Sequence, residues 1–475
     1  MTGVHVPVHG VIENTVKPHK SGLTVYPDVL QERGYKCFLI GKSHFVPVPE
    51  SFTFTDIHTG NTDKRCDDEP YADGTCKYYH ESDFLESYLV DSFEKHVGAF
   101  LDSDSQTPVF VHLSFVSPHP PSTPPIDPKN FAELYSSSDL PSLNYANGDI
   151  AMMPYQTQML LNLLPRDIAR TPPTWILPDG SPNMTNINVE RLLYYGLCAY
   201  VDEQVGRAVD FIDVRNLTTS TFIIFTSDHG SLLYSHGGNN EKHSFYDEVW
   251  HVPLIFRWPG SLPKNATAGF ASTVDVTAAI LVAGGVDWEG PSNRYATTFS
   301  DASLSNNTMF MAGLDILTPL REAQMSSSSR TNNDTYTNQR LGNIKDFDGT
   351  SIMVPRTAVT ATQYKGYGVV TDKWKLLYFP EQGEGRLFDR GNDPCERRDL
   401  FGDSSYQETQ NILLVGLLRW RAQQDDLQWE LAQWSSGAEV GARARNDSCY
   451  LTGRAAEYNL QDASVKADTL WRGLN

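Results

Sequence analysis

Thr221-Phe222-Ile223-Ile224-Phe225-Thr226-Ser227-Asp228-His229-Gly230 decides the fold of this chain. A β-prone run, Thr221 to Phe225, leads straight into Asp-His-Gly. Branched and aromatic side chains suit a pleated, half-buried strand. In an open α/β sheet, chemistry gathers at the carboxyl ends of the strands. Asp228 and His229, released there by Gly230, can turn toward a shared metal or anion. Taken alone, the pair reads as well as a strand-end aspartate capping the next turn, with a histidine as its neighbour. Glu241-Lys242-His243 follows, then the apolar run Val252-Pro253-Leu254-Ile255-Phe256 and the turn Trp258-Pro259-Gly260.

Outward from this stretch, strands alternate with helices. Leu23 to Glu32 reads as a helix and Cys37-Phe38-Leu39-Ile40 as a strand that ends in Gly41-Lys42-Ser43-His44-Phe45. Residues 82–101 carry helical apolar spacing, and Val109 to Phe115 reads as a buried strand ending at Ser117-Pro118-His119-Pro120-Pro121. Residues 189–212 predict a long helix and 271–283 another. This alternation implies an α/β class with a large, mostly parallel sheet flanked by helices. The character changes near residue 320. Ser326 to Arg340 is rich in Ser, Asn and Thr and reads as a mobile surface loop. Short strands then follow at Ala358–Thr362, Tyr367–Thr371 and Lys373–Phe379, with a helix from about Glu408 to Gln423. The expected organisation is an α/β domain over 1–320, a linker over 321–349 and a small antiparallel-sheet-plus-helix domain over 350–475.

The chain has 475 residues, enough for a large core, and a formal net charge of −20. That charge argues against nucleic-acid binding, an anionic membrane surface and a broad basic face for polyanions. An anionic substrate must therefore be held by a few local cations in a pocket. No run approaches the ~18 apolar residues of a transmembrane helix. Six N-x-S/T sequons, at Asn183, Asn216, Asn265, Asn306, Asn333 and Asn446, favour a secretory route, extracellular or lysosomal. Cys66 and Cys76 bracket a polar loop that a disulfide could close; two unpaired thiols suit it equally. Cys37 and Cys198 sit in apolar contexts and read as core residues.

Several of these landmarks, in order, resemble the sulfatase family of the alkaline-phosphatase-like superfamily. They are Gly34-Tyr35-Lys36 with Gly41-Lys42-Ser43-His44, then Ser114 to Pro121 and Val201-Asp202-Glu203-Gln204-Val205-Gly206-Arg207. Ser227-Asp228-His229-Gly230, the Val-Pro-Leu-Ile run ending in Pro259-Gly260, Asp372-Lys373-Trp374-Lys375-Leu376 and Leu387 to Arg397 complete the series. The resemblance implies an alkaline-phosphatase-like fold and hydrolysis of a sulfate ester of an aryl or carbohydrate compound. Asp228 and His229 match the metal pair, with calcium the first choice of divalent ion. Calcium prefers hard oxygen ligands, whereas an imidazole suits softer ions. Lys42 matches a lysine that contacts a sulfate oxygen, and His44 a histidine that orients a formylglycine hydroxyl or accepts its proton. The two share a face if the strand runs through both. His119 matches the histidine beside the leaving-group oxygen, and Lys242 the second sulfate-binding lysine. As bare residues these carry less: K-x-H is a weak motif, His119 is a loop histidine between prolines, and Lys242 is a surface lysine whose register is open by one residue. His236 and His243 are bystanders.

Met1-Thr2-Gly3 resembles the [LM]-T-G that follows the family's C-x-P-S-R motif, the source of its formylglycine. None of the six cysteines is followed by x-[PA]-x-R. The chain as given is therefore expected to lack the nucleophile and the aspartates that complete the metal site, and to show no sulfatase turnover. A truncated gene model and a product that lost catalysis and binds sulfated ligands are both open. So is a phosphate or phosphonate monoester hydrolase of the same superfamily.

Overall fold

A computed structural model describes residues 2–11, 24–45, 47–58, 84–264, 270–286, 297–298, 310–311, 316–318, 320–321, 358–363, 366–371 and 373–435. These fall into two compact units. One comprises Tyr26–Met153 and Thr157–Lys264, the other Met1–Val25, Pro154–Gln156 and Asn265–Asn475. The units part after Lys264. The linker expected over 321–349 lies outside the described residues apart from Arg321, as does the loop bearing Cys66 and Cys76.

The first unit opens with α1 (Tyr26–Glu32) and β1 (Lys36–Lys42), followed by β2 (Phe54–His58), α2 (Leu85–Ser103) and β3 (Val109–Ser114). The strands pair in parallel in the order β2-β1-β3. β1 is therefore central, and Cys37, Phe38, Leu39, Ile40 and Gly41 are all buried. This explains the unbroken apolar run: a parallel strand covered on both faces has no solvent side to mark by alternation. α2 lays Leu85, Leu89, Phe93 and Val97 against Phe38 and Ile40. The long helix α3 (Met184–Val214) is capped by the Asn183 side chain, which accepts from the Asn186 amide. It places Leu197 and Tyr200 against Phe84 and Phe131. Arg207 of the Val-Gly-Arg landmark reaches Asp91 at 2.6 Å and Glu94 at 3.3 Å, so it fastens α3 to α2.

The decisive stretch forms β4 (Ile223–Thr226), which pairs antiparallel with β5 (Leu254–Arg257). Two glycines fix the loop ends. At Gly41, with φ of +108°, a Cβ would lie 1.9 Å from the Ser114 carbonyl oxygen. At Gly230 it would lie 2.1 Å from the Glu248 carbonyl oxygen, and the Gly230 amide donates to Val249 O at 2.8 Å. Side chains are excluded at both places because two backbones touch.

His112 on β3 is hydrogen-bonded to the Tyr26 hydroxyl at 2.8 Å. Burial holds its pKa down to about 4 from the usual 6.5. The unfolded chain therefore binds this proton first, and the stabilisation from keeping His112 neutral is full above pH 6.5 and is lost as the pH falls toward 4. The full shift corresponds to a loss on the order of 3 kcal/mol. Urea midpoints at pH 7 and pH 4.5 should differ accordingly, and His112→Gln should flatten the difference. An unchanged slope in that variant would remove His112 as the cause.

In the second unit, α4 (Thr273–Ala283) begins with a capping box between Ser272 and Asp275. β6 (Ala358–Gln363), β7 (Gly366–Thr371), β8 (Trp374–Phe379) and β9 (Glu384–Asp389) form an antiparallel sheet in the order β9-β8-β7-β6. α5 (Gln407–Ser435) contributes Leu413 and Leu417 to a core with Val369, Trp374, Leu376, Leu387 and Leu400. Lys375 is fully buried and lies 2.6 Å from Glu396, itself 2% exposed.

Candidate active site

Three strand ends and one loop of the first unit bring the candidate residues together. Lys42 is the last residue of β1, and His44 lies beyond it. The shared-face expectation for Lys42 and His44 therefore does not hold. The strand stops at Lys42, one residue after Gly41, and the following loop positions His44, which is exposed. His119 follows β3 in a loop held by Glu86: this fully buried carboxylate on α2 accepts from the Ser117 amide at 2.8 Å. Asp228 and His229 follow β4, and Lys242 sits in the loop between β4 and β5.

Lys242 Nζ lies 3.1 Å from His119 Nε2 across 123 residues of sequence. His119 Nδ1 lies 2.8 Å from the Pro120 carbonyl oxygen. A carbonyl only accepts and an ammonium only donates. Nδ1 therefore carries the ring proton, and Nε2 is the bare acceptor of the Lys242 proton. Burial lowers the His119 pKa first, and Lys242 and Lys42 lower it further, against a raising contribution from the Pro120 contact. His44 is lowered by partial burial and then by the same two lysines, with Asp228 opposing. Lys42 is lowered by burial, opposed by Asp228 and assisted by Lys242. Two lysines, two histidines and an aspartate thus share one electrostatic neighbourhood in which both imidazoles are held neutral.

The Asp-His pair has its own logic. His229 Nδ1 lies 2.8 Å from the Gly230 carbonyl oxygen, so it donates there. That leaves Nε2, which faces Asp228 Oδ2 at 3.3 Å. Two lone-pair atoms at that separation repel unless a proton or a metal ion lies between them. One carboxylate oxygen and one imidazole nitrogen, aimed at a common point, fit part of the shell of a divalent cation.

Glu86 was not legible as a positioning residue, because its role depends on a backbone amide 31 residues away. Nor was the support behind the Lys242 loop. There His236, with a left-handed φ of 56°, stacks on Tyr246 at 3.6 Å and meets Glu248 at 3.3 Å. Asn144 donates to the same Glu248 at 2.9 Å.

The Sulfatase family model matches residues 1–286, more than half of the chain. The chain belongs to the sulfatase family. It is 28% identical to human iduronate 2-sulfatase over 266 residues, covering 53% of this chain and 48% of the relative. It is 23% identical to choline-sulfatase of Rhizobium meliloti, covering 60% and 57% respectively. The chain thus spans about half the length of these curated relatives. Among solved structures, a complex with the substrate D-glucosamine-2-N,6-O-disulfate superposes with a TM-score of 0.62 at 18% identity over 90% of this chain and 87% of that one. A phosphonate monoester hydrolase from Silicibacter pomeroyi does so with 0.62 at 18% over 89% and 84%. At such identities these two similarities speak for the alkaline-phosphatase-like fold. Sulfatases generally bind a divalent metal.

Proposed function

We propose that this protein binds and hydrolyses a sulfate ester of an aryl or carbohydrate compound at the site formed by Lys42, His44, His119, Lys242, Asp228 and His229. The observation that carries the reading is the contact of Lys242 with His119, with Lys42 acting on the same imidazole. A sulfate ester spreads charge over several oxygens, so its recognition needs fixed cations aimed at them. Lys42 and Lys242 supply these in a chain whose net charge is −20. Lys242 also holds a proton against His119 Nε2, where it can pass to the leaving-group oxygen. His44, kept neutral, can accept a proton from an attacking hydroxyl. Asp228 and His229 would hold a divalent ion, calcium as first choice, which would add positive charge beside the sulfate oxygens.

The test compares a panel of sulfate and phosphate monoesters on this protein. Turnover or binding of a sulfate ester that is lost with a metal chelator supports the reading. Preference for a phosphate or phosphonate monoester moves the protein to that class.

We also place the protein on the secretory route as a glycoprotein. Asn216 is exposed at the end of α3 with a left-handed φ of 58°. The Asn183 amide instead donates to the Thr174 carbonyl at 3.1 Å as part of a helix cap. Expression in a secreting eukaryotic host should give high glycan occupancy at Asn216 and low occupancy at Asn183. Peptide mass mapping reads this directly, and the reverse ranking would defeat it. Among the described residues no helix is long and apolar enough to cross a membrane.

A further inference from the structure

Beside the Lys242–His119 pair lies a cavity of about 400 Å³. Pro120 and Pro121, next to His119, form one wall, and Glu241, next to Lys242, forms another. Glu190 on α3, Ser122, Thr123, Tyr234, Asn239 and Asn240 complete the polar lining, and no lysine or arginine takes part. The charged groups of this lining can only accept, while the hydroxyls of Ser122, Thr123 and Tyr234 can donate or accept. Two ionised carboxylates have no proton to give. The buried Oδ1 of Asn239 has no hydrogen-bond partner among the described residues. Asn240 is already committed, accepting from Ser231 at 2.8 Å and donating to Ser122 at 3.3 Å. The Glu190 carboxylate raises the Tyr234 pKa behind burial itself, and Glu241 acts on His119. Both acids line this cavity, beside the Lys242–His119 pair.

We propose that the leaving-group side of the site takes a hydroxyl-rich, otherwise uncharged residue, a neutral sugar or polyol carrying a single sulfate, and rejects substrates with a second anionic group. This rests on the sulfate-ester reading above. Sugar hydroxyls would donate to Glu190 and Glu241 and accept from the hydroxyls of Ser122 and Thr123. A second sulfate or a carboxylate would meet two like charges with no cation in the lining to offset them. A quaternary ammonium has no proton to donate and only Tyr234 as an aromatic wall, so it fits less well.

Titration calorimetry on the full chain tests this without requiring turnover. Glucose 6-sulfate should bind at least about tenfold more tightly than glucose 2,6-disulfate, the scale of one like-charge contact at a part-exposed site. The advantage should shrink as salt is raised. Glu190→Gln/Glu241→Gln should bring the ratio close to one. If that double variant misfolds, Glu190→Gln alone, an exposed helix position, should reduce the ratio several-fold. Equal affinity or a preference for the disulfate in the unaltered protein overturns this inference and leaves the sulfate-ester reading standing. A ratio unmoved by the substitutions also overturns it. Binding of neither ester would instead count against the sulfate-ester reading on which it rests.

Discussion

Lys242→Ala should lower sulfate-ester turnover by about 10²–10³-fold, the loss seen when one fixed donor to transition-state charge is removed. Two effects combine. The variant loses a cation beside the sulfate, and His119 loses the proton donated to its Nε2 at 3.1 Å. The second effect has a signature of its own. Lys242 holds the His119 pKa down, so its removal should let His119 protonate at a higher pH. The acid limb of the pH–rate profile should therefore move upward, and the His119 ring resonance should titrate later in an acid-to-base sweep. Lys242→Arg keeps the charge but not the compact ammonium, and should recover binding more than rate. Full turnover with an unshifted profile in Lys242→Ala would remove Lys242 from the site.

In the second unit the largest effect should come from Lys375→Met. Lys375 is fully buried and meets Glu396 at 2.6 Å inside the small domain. Removing one partner of a buried pair leaves the other charge uncompensated, at a cost of about 3–5 kcal/mol. Glu396→Gln alone should cost a comparable amount. The double variant Lys375→Met/Glu396→Gln should be less destabilised than the sum, because no stranded charge remains. Chemical denaturation of the four proteins measures the coupling. Strict additivity would show that the pair does not act as a unit.

Both residues belong to landmarks visible in the sequence, Asp-Lys-Trp-Lys-Leu and Asp-Pro-Cys-Glu-Arg, yet their pairing was not. Spacing along a chain does not say which loop folds back on which strand. The same division runs through the site. Asp228-His229-Gly230 could be read at a strand end because β-prone runs followed by Gly are local signals. The ends of β1 and β3 were legible for the same reason, and most helices and strands lie within a few residues of their expected bounds. His44 lies two residues past the end of β1, a boundary set by where the ladders with β2 and β3 stop and so by pairing between distant segments.

By itself, then, the sequence determined the α/β alternation and the small antiparallel sheet and pointed to six candidate residues, since periodicity, turn residues and ordered motifs are properties of consecutive positions. Tertiary structure alone decided the rest. It set Lys242 against His119, fixed which ring nitrogen of His119 and of His229 is bare and put Glu86 behind the His119 loop. It also gathered Glu190, Asn239 and Glu241 around one cavity. Each of these depends on where distant segments meet, and hydrogen bonds and fields act through space over a few ångströms, whatever the separation along the chain.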